Sequence, residues 1–579
     1  MKNELIRLEP VEANKGIYGK RPLDTVRVVK TIREMFDSSC EIFAENVAFL
    51  RRASQKSDWT EIKYKEAGRA VYALGTALIK LGLKDKKIAI IGENRYEWEI
   101  SYLAVVCGVG TVVPIDKELT DVEIRTLLDA ANADALIYSP KIKKKYPELF
   151  ETLGVKLICM EESETDESFD KLIEAGEMLI EQGDRSFIDE KVEEDDIDIL
   201  LFTSGTSGDA KAVMLSHKNV AANLVNMCSM MDIRETDRFF SMLPLHHTYE
   251  CTCGFLCPIY RGSSICYCMG LKYITKNLQE YKPTMVLTVP LVIESIYKNI
   301  VRTIEKNGMT KKVNMGKKIT GLLLKFGIDK RKQIFKQIHD NLGGNIRMFI
   351  AGAAAVDPEV AKNFRAFGLH AIQGYGLTEC APIVAVNREE YYDDPACGLP
   401  LPQVEVKIDN PDKDGIGEII CKGDNVMVGY YQKPELTAEV IKDGWFYTGD
   451  IGYMKNGFVY ITGRKKFVII AANGENVFPE EIEQLLNRAD IISESMVYEK
   501  KDEETGKVSI AAQILPDKDA AAEILGADYT NDMLKAKIDE EIKKVNAMMP
   551  PFKAVTHFDI RETDFIKTTT KKIKRHENI

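Results

Sequence analysis

Between residues 202 and 217 the chain reads FTSGTSGDAKAVMLSH, and a largely apolar run at 197–202 leads straight into it. The loop is rich in glycines and hydroxyl residues. Gly205 and Gly208 let backbone amides converge on an anion where side chains would crowd it. Thr203, Ser204, Thr206 and Ser207 add hydroxyl donors, and Lys211 adds a positive charge. These residues suit a triphosphate. The Walker loop is excluded, because it needs four residues between its glycines and then Lys-Ser/Thr, whereas two separate these glycines and Ala212 follows Lys211. A polar strand-to-helix turn, which the same residues favour for geometric reasons, is the plainer alternative.

Helix and strand signals alternate along the rest of the chain. Residues 66–81 carry helical periodicity and stop at Gly82, after which 87–91 read as a buried strand, and similar signals recur at 286–300 and 347–367. The alternation predicts a doubly wound α/β core. The acidic stretch 190–198 reads as a solvated linker.

Composition narrows the function classes. A chain of 579 residues, 45% hydrophobic and 29% charged, has the make-up of a soluble enzyme, and length alone allows roughly four domains. A net charge of -11 argues against nucleic acid and requires any anion site to be locally positive. No apolar run reaches the roughly 18 residues of a membrane span, and MKNELIRLEP has no apolar core after Lys2, so a cytoplasmic protein is expected. Twelve cysteines fit a reducing compartment. Cys251, Cys253, Cys257, Cys266 and Cys268 cluster in an apolar stretch without the paired clamps of a structural zinc site, so buried thiols are expected there.

Further motifs follow the loop in chain order: PLHH (244–247), AGAAAV (351–356), GYGLTECAP (374–382), GEIICKG (417–423), WFYTGDIG (445–452) and GRKKFVIIAANGENVFPEEIE (463–483). As an ordered set they resemble the signatures of the adenylate-forming enzymes, the superfamily of acyl-CoA synthetases, luciferases and peptide-synthetase adenylation domains, with long-chain fatty acyl-CoA synthetases the most similar branch. The resemblance covers most of the chain from residue 200 onward. It implies a large N-terminal domain, 1–463, of doubly wound α/β subdomains plus a small β-barrel-like part. A small mobile α+β C-terminal domain, 464–579, would follow, hinged near Lys466.

The same resemblance implies roles. Tyr375, between Gly374 and Gly376, offers a face on which adenine can stack, with Gly352 and Ala353 as the other wall of the slot. Thr378 resembles the family's hydroxyl donor to phosphate, and Glu379 its carboxylate ligand for the Mg²⁺ that accompanies ATP. Asp450 resembles the carboxylate that accepts from the ribose hydroxyls, with Arg464 as its partner. His247 holds the family's histidine position near the acyl carboxylate; His246 does not. Phe467 departs from the acidic residue often found after the hinge, and Gly474 resembles the glycine beside which the pantetheine arm of CoA passes. Near the end, FIKTTTKKIKRHENI aligns Lys572 with the family's adenylation lysine through Thr568, Thr570, Lys574 and Arg575, Lys571 being a neighbouring candidate and a merely solvated basic tail the plain alternative.

From Arg302 to Lys336 the charges are almost all positive and are interleaved with Ile319, Leu322, Leu323, Leu324 and Phe326. This segment, 302–336, reads as a basic amphipathic helix preceded by a loop, suited to an anionic membrane face or an acidic carrier protein, and resembles an insertion of long-chain fatty acyl-CoA synthetases. A solvated helix face is the plainer reading. The sequence thus points to a ligase that uses ATP and Mg²⁺ to join a fatty acid to CoA. A fatty acid–acyl carrier protein ligase, a CoA ligase for an aromatic or other acid, and a weak acyl-AMP or lipid-binding regulator are the alternatives.

Overall fold

The computed structural model describes residues 4–203, 211–352, 356–471, 474–501, 508–568 and 572–579. The chain forms two compact units. One comprises Met1–Val406, Cys421–Phe446 and Asn456–Phe458, and the other Lys407–Ile420, Tyr447–Lys455 and Val459–Ile579.

Two mostly parallel sheets organise the first unit. The eight-stranded one runs Gly429–Tyr430, Lys211–Leu215, Ile199–Thr203, Gly110–Ile115, Lys86–Ile91, Ala135–Tyr138, Lys156–Cys159 and Glu167–Ser168. Its middle strands contain the buried runs IAII, VVPI and ALIY, as parallel strands covered on both faces must. The nine-stranded sheet runs Leu399–Pro400, Ile383–Val386, His370–Gly376, Met348–Ala351, Met285–Thr288, Arg238–Ser241, Ser264–Tyr267, Val47–Arg51 and Thr60–Lys63. Its strands are parallel from Val47–Arg51 to His370–Gly376 and antiparallel beyond each end.

The alternation read from sequence is present. A helix at Tyr64–Lys80 precedes the strand Lys86–Ile91, and the chain leaves the helix through Gly82 at φ +80°. That helix packs backbone-close on the helix Phe169–Glu181. A Cβ on Gly176 would lie 1.9 Å from the Ala73 carbonyl oxygen, so only glycine fits there. Met285–Thr288 leads into the helix Pro290–Lys306, and Met348–Ala351 precedes the helix Pro358–Phe367. The acidic stretch 190–198 is irregular but tied down, with Glu190 on Lys84 (3.3 Å), Glu194 on Lys30 (3.3 Å) and Asp198 on His217 (3.2 Å). Among the described residues no helix is long and apolar enough to cross a membrane.

In the second unit, strands Ile492–Lys501, Val508–Pro516 and Val555–Ile560 form a sheet, the first pair antiparallel and the second parallel. Helices Pro479–Leu486 and Asn531–Asn546 bury Ile482, Leu486, Leu534 and Ile538 in a core shared with Val497, Ile510 and Ile514. The basic tail is docked. Asn578 exchanges hydrogen bonds with the Ile566 backbone (2.9 and 3.0 Å), and Phe565 is buried with Met496 and Leu515. Arg575 donates to the Val497 carbonyl and to Glu483 (2.7 Å each) and lies over the Phe467 ring at 5.0 Å. Burial pushes the Glu483 carboxyl up to about 7 even with Arg575 beside it.

Arg575→Ala leaves Glu483 buried without its cation, a loss expected to cost about 3 kcal/mol. Denaturant unfolding should show the C-terminal unit weakened by that amount, with most of it recovered when Glu483→Gln is added. A loss below about 0.5 kcal/mol, the scale of an ordinary surface change, would mean that the tail is not anchored there.

Candidate active site

The glycine-rich loop joins two antiparallel strands. Thr203 pairs directly with Lys211, and the Thr203 hydroxyl donates to the Lys211 carbonyl at 3.3 Å. The strand-to-helix alternative is therefore set aside: the chain returns along the sheet as Lys211–Leu215 before the helix His217–Met230 begins. Ser204, Gly205, Thr206, Ser207 and Gly208 lie outside the described residues.

Beyond the loop, side chains from three segments line up. The Lys211 ammonium sits 5.2 Å from the centre of the Tyr430 ring, and the Tyr430 hydroxyl donates to Glu379 Oε1 at 3.0 Å. Tyr430 arrives on the short strand Gly429–Tyr430, which pairs with the strand carrying Lys211. Glu379 lies in the turn Thr378–Cys380 that ends the strand His370–Gly376. That turn is braced from behind. Asn223 and Asn425 both donate to the Cys380 and Ile383 carbonyls, and the Met427 amide donates to the Glu379 carbonyl at 2.8 Å. The Thr378 hydroxyl accepts from Thr248 at 3.3 Å. Burial, reinforced by the Glu379 charge, pushes the Tyr430 phenol far above its ordinary value, so it remains a donor. A carboxylate flanked by hydroxyls offers hard oxygen, the chemistry Mg²⁺ takes from protein when phosphates supply its other ligands.

The two histidines have different surroundings. His246 lies 3.6 Å from Asp116 and is held neutral, burial pushing its imidazole down to about 3. His247 begins the turn into the π-helical stretch Tyr249–Leu256, its carbonyl accepting from the Cys251 amide at 2.9 Å. Next along that stretch, Glu250 accepts from Ser241 at 2.6 Å, and Ser241 accepts from Asn94 at 2.8 Å. Burial pushes Glu250 up to about 8. Cys251, Cys253, Cys257 and Cys266 are buried thiols, and Cys268 is half-buried.

Of the adenine-slot candidates, Gly352 lies against Tyr249, since a Cβ there would come within 2.8 Å of the ring, whose hydroxyl is fixed on the Ile350 carbonyl at 2.8 Å. Tyr375 is 6% exposed and pairs with Ala385 across the sheet between half-buried Gly374 and exposed Gly376. Ala353 lies outside the described residues.

The second unit holds the remaining candidates. Asp450, 3% exposed on the strand Trp445–Lys455, pairs with Arg464 Nε at 2.7 Å from the end of the strand Phe458–Arg464. Thr448 accepts from the Asp450 amide (3.0 Å), and Glu418 accepts from the Gly449 amide (3.0 Å), which fixes the turn. Lys466 rests on Phe467 at 4.6 Å. Gly474 has φ +83°. Lys572 is open to water, and its amide donates to the Thr568 hydroxyl at 3.1 Å. The protein around it, then the repulsion of Arg464, pushes its ammonium down; the attraction of Asp450 opposes this and Lys466 adds to it. With the side chain exposed, solvent screening weakens this downward push. Lys571 lies outside the described residues.

Sequence reasoning missed Tyr430 and Thr248. No fixed spacing links Tyr430 to Glu379, and only the pairing of its strand with that of Lys211 brings it there. Thr248 is adjacent to His247 and was legible only as a neighbouring hydroxyl.

A model of the family described as AMP-binding enzyme matches residues 36–431. Similar proteins include a long-chain-fatty-acid–CoA ligase of Rattus norvegicus, 30% identical over 81% of this chain and 75% of that one. Long chain acyl-CoA synthetase 4 of Arabidopsis thaliana is 27% identical (82% and 77%). A long-chain-fatty-acid–acyl-carrier-protein ligase of the same plant is 24% identical (89% and 80%). Among solved structures, the fold is shared with the anthranilate CoA ligase AuaEII in complex with anthranoyl-AMP (TM-score 0.74, 18% identity, 94% of this chain and 96% of that one). It is also shared with o-succinylbenzoate CoA synthetase of Bacillus subtilis in complex with ATP and magnesium ion (TM-score 0.69, 19% identity, 94% and 98%).

Two outcomes are expected. Tyr430→Phe keeps the ring under Lys211 and removes the donor to Glu379, so the free Mg²⁺ needed for half-maximal nucleotide binding should rise about 10-fold, the scale of a hydrogen bond to a charged group. Binding of ATP in EDTA should be unchanged. A Mg²⁺ requirement equal to wild type would show that the bond does not orient the carboxylate. For Glu250, the folded carboxyl holds its proton up to about 8 against an ordinary 4.5. Its contribution to stability is therefore complete below pH 4.5 and lost as pH rises to 8. The thermal midpoint of wild type relative to Glu250→Gln should fall across that window, and a flat difference would show an ionised Glu250.

Proposed function

The chain belongs to the AMP-binding enzyme family, and on that premise we propose that it is a cytoplasmic, ATP-dependent fatty acid–CoA ligase. The observation that carries the proposal is the row Lys211, Tyr430, Glu379 and Thr378 at the exit of the glycine-rich loop. It combines a cation, a braced carboxylate and a hydroxyl, the set needed to hold a metal-bound triphosphate. The fatty acid and CoA are proposed from the relatives, two of which are named as long-chain acyl-CoA-forming enzymes.

In the first step a carboxylate oxygen of the fatty acid attacks the α-phosphorus of ATP. The bond to the bridging oxygen breaks and pyrophosphate leaves. Loop residues Thr203 to Gly208 and Lys211 would hold the phosphates, and Thr378 would donate to the phosphate under attack. Glu379 would hold Mg²⁺, which when bound neutralises phosphate charge and aids departure of pyrophosphate. Tyr375, flanked by Gly374 and Gly376, with Gly352 and Ala353, would receive adenine; Asp450, oriented by Arg464, would accept from the ribose hydroxyls. His247 would face the acyl carboxylate, and the Lys572 ammonium would balance charge developing between carboxylate and phosphate. In the second step the CoA thiol, losing its proton, attacks the acyl carbonyl and AMP leaves, with Gly474 bordering the pantetheine arm. We propose a functional division at 463/464 with Lys466 as the hinge, so that the C-terminal domain serves the two steps in turn.

An acyl carrier protein as the thiol acceptor is the second reading, supported by the carrier-protein ligase among the relatives. A CoA ligase for an aromatic or other carboxylate is the remaining alternative on the substrate side.

Pyrophosphate release across acids from acetate through palmitate to benzoate, with CoA, with holo-carrier protein and with neither, should peak among fatty acids and depend on CoA. Turnover only with the carrier would replace CoA as acceptor, and a peak at benzoate would replace the substrate. Lys572→Ala should lower adenylation about 10²-fold or more and leave thioester formation from supplied acyl-adenylate nearly intact. Equal loss in both half-reactions would remove the separate role given to this lysine.

A further inference from the structure

The segment 302–336 is absorbed by none of the chemistry above. It continues the helix Pro290–Lys306, turns through 307–309 and forms the helix Thr310–Lys325. The second helix has two faces. Gly316 and Thr320 are buried, and Lys317 turns inward, donating to Asn363 at 2.6 Å with its ammonium 4.6 Å from the Phe367 ring. The opposite face points away from the protein and is apolar. Met315, Ile319, Leu322 and Phe326, the last just past the helix end, are 61, 47, 57 and 73% exposed, at spacings of four, three and four that place them in one row. Such a row is costly to leave in water.

Charge surrounds the row in an ordered way. Lys311, Lys318 and Lys325 repeat every seven residues along one flank and Lys312 lies on the other, all exposed. Residues 306–328 hold six lysines and no acidic residue in a chain whose net charge is -11. An acidic protein would satisfy the lysines and leave four large apolar side chains unused. An anionic lipid surface takes both, acyl chains receiving the row and headgroups receiving the flanking ammoniums.

We propose that the face of the helix Thr310–Lys325 formed by Met315, Ile319, Leu322 and Phe326, with Lys311, Lys312, Lys318 and Lys325 at its borders, is a docking surface for anionic lipid bilayers. The helix lies in the interface plane, and Lys317, which the sequence groups with its neighbours, is a packing residue of the protein side. The proposal is independent of which acid or thiol the enzyme uses.

Sedimentation of the full-length protein with phosphatidylcholine vesicles, with and without phosphatidylglycerol, tests it. Wild type should bind the anionic vesicles, lose binding as salt rises and bind pure phosphatidylcholine at least 10-fold more weakly. Lys311→Gln/Lys318→Gln/Lys325→Gln should weaken anionic-vesicle binding about 10²-fold. Leu322→Gln/Phe326→Gln should abolish it, and Lys317→Gln should not change it. The altered side chains of both multiple variants are exposed, so their thermal midpoints should match wild type. Absence of wild-type binding, or equal binding by the Leu322/Phe326 variant, overturns the proposal. So does binding of an acidic carrier protein that depends on the lysines while vesicles are ignored.

Discussion

The antiparallel pairing of Ile199–Thr203 with Lys211–Leu215 is the constraint on which the row Lys211, Tyr430 and Glu379 depends. Up to Ile199–Thr203 the sheet is parallel, and each crossover carries the chain back along a helix or loop before the next strand. At this edge the chain reverses at once, so Thr203 and Lys211 face each other across the mouth of the loop and backbone hydrogen bonds set their separation. The reversed strand in turn offers its free edge to Gly429–Tyr430. Tyr430 thereby reaches Glu379, from a different sheet, without a long side chain or a dedicated helix. A Walker loop is framed by a helix N-terminus; here the sheet edge supplies the frame and a tyrosine links cation and carboxylate.

Much of this was legible in the sequence because local physics dominates it. The runs at 87–91 and 347–351 can only be satisfied as buried strands, and Gly82 ends its helix as a left-handed residue should. The C-terminal tail was harder. FIKTTTKKIKRHENI has the composition of a solvated basic end, yet Arg575 is drawn in by Glu483, a residue on the helix Pro479–Leu486 that no local pattern connects to it. Lys317 shows the same limit in the other direction. Its neighbours Lys311, Lys312 and Lys318 are exposed, and only the position of Asn363 and Phe367 on the helix Pro358–Phe367 turns it inward. Side chains whose partners lie far along the chain have no signature in composition or period.

The distribution of charge follows the same division between local and long-range causes. A chain with net charge -11 repels polyphosphates at a distance, so binding must depend on short-range donors. In the first unit burial raises the Glu99 and Glu250 carboxyls toward the neutral form, with Tyr267 and Ser241 donating to them. Glu379 is treated differently. It is only partly buried and accepts from a phenol that burial keeps protonated.

The aromatic residue after the proposed hinge then acquires a physical reason. Phe467 takes two cations on its ring, Lys466 at 4.6 Å and Arg575 at 5.0 Å. An acid at that position would compete with Glu483 for Arg575; a phenyl ring attracts the guanidinium without neutralising it and leaves the ion pair with Glu483 intact. Arg575 is three residues from Lys572. Beside Lys572, Ile573 bridges to Lys567 and the Lys574 amide donates to the Ile566 carbonyl at 2.9 Å. These contacts fix the backbone beside Lys572, whose side chain is exposed. Through Arg575, the ring at 467 thus joins the docked tail to Lys466, the residue proposed as the hinge.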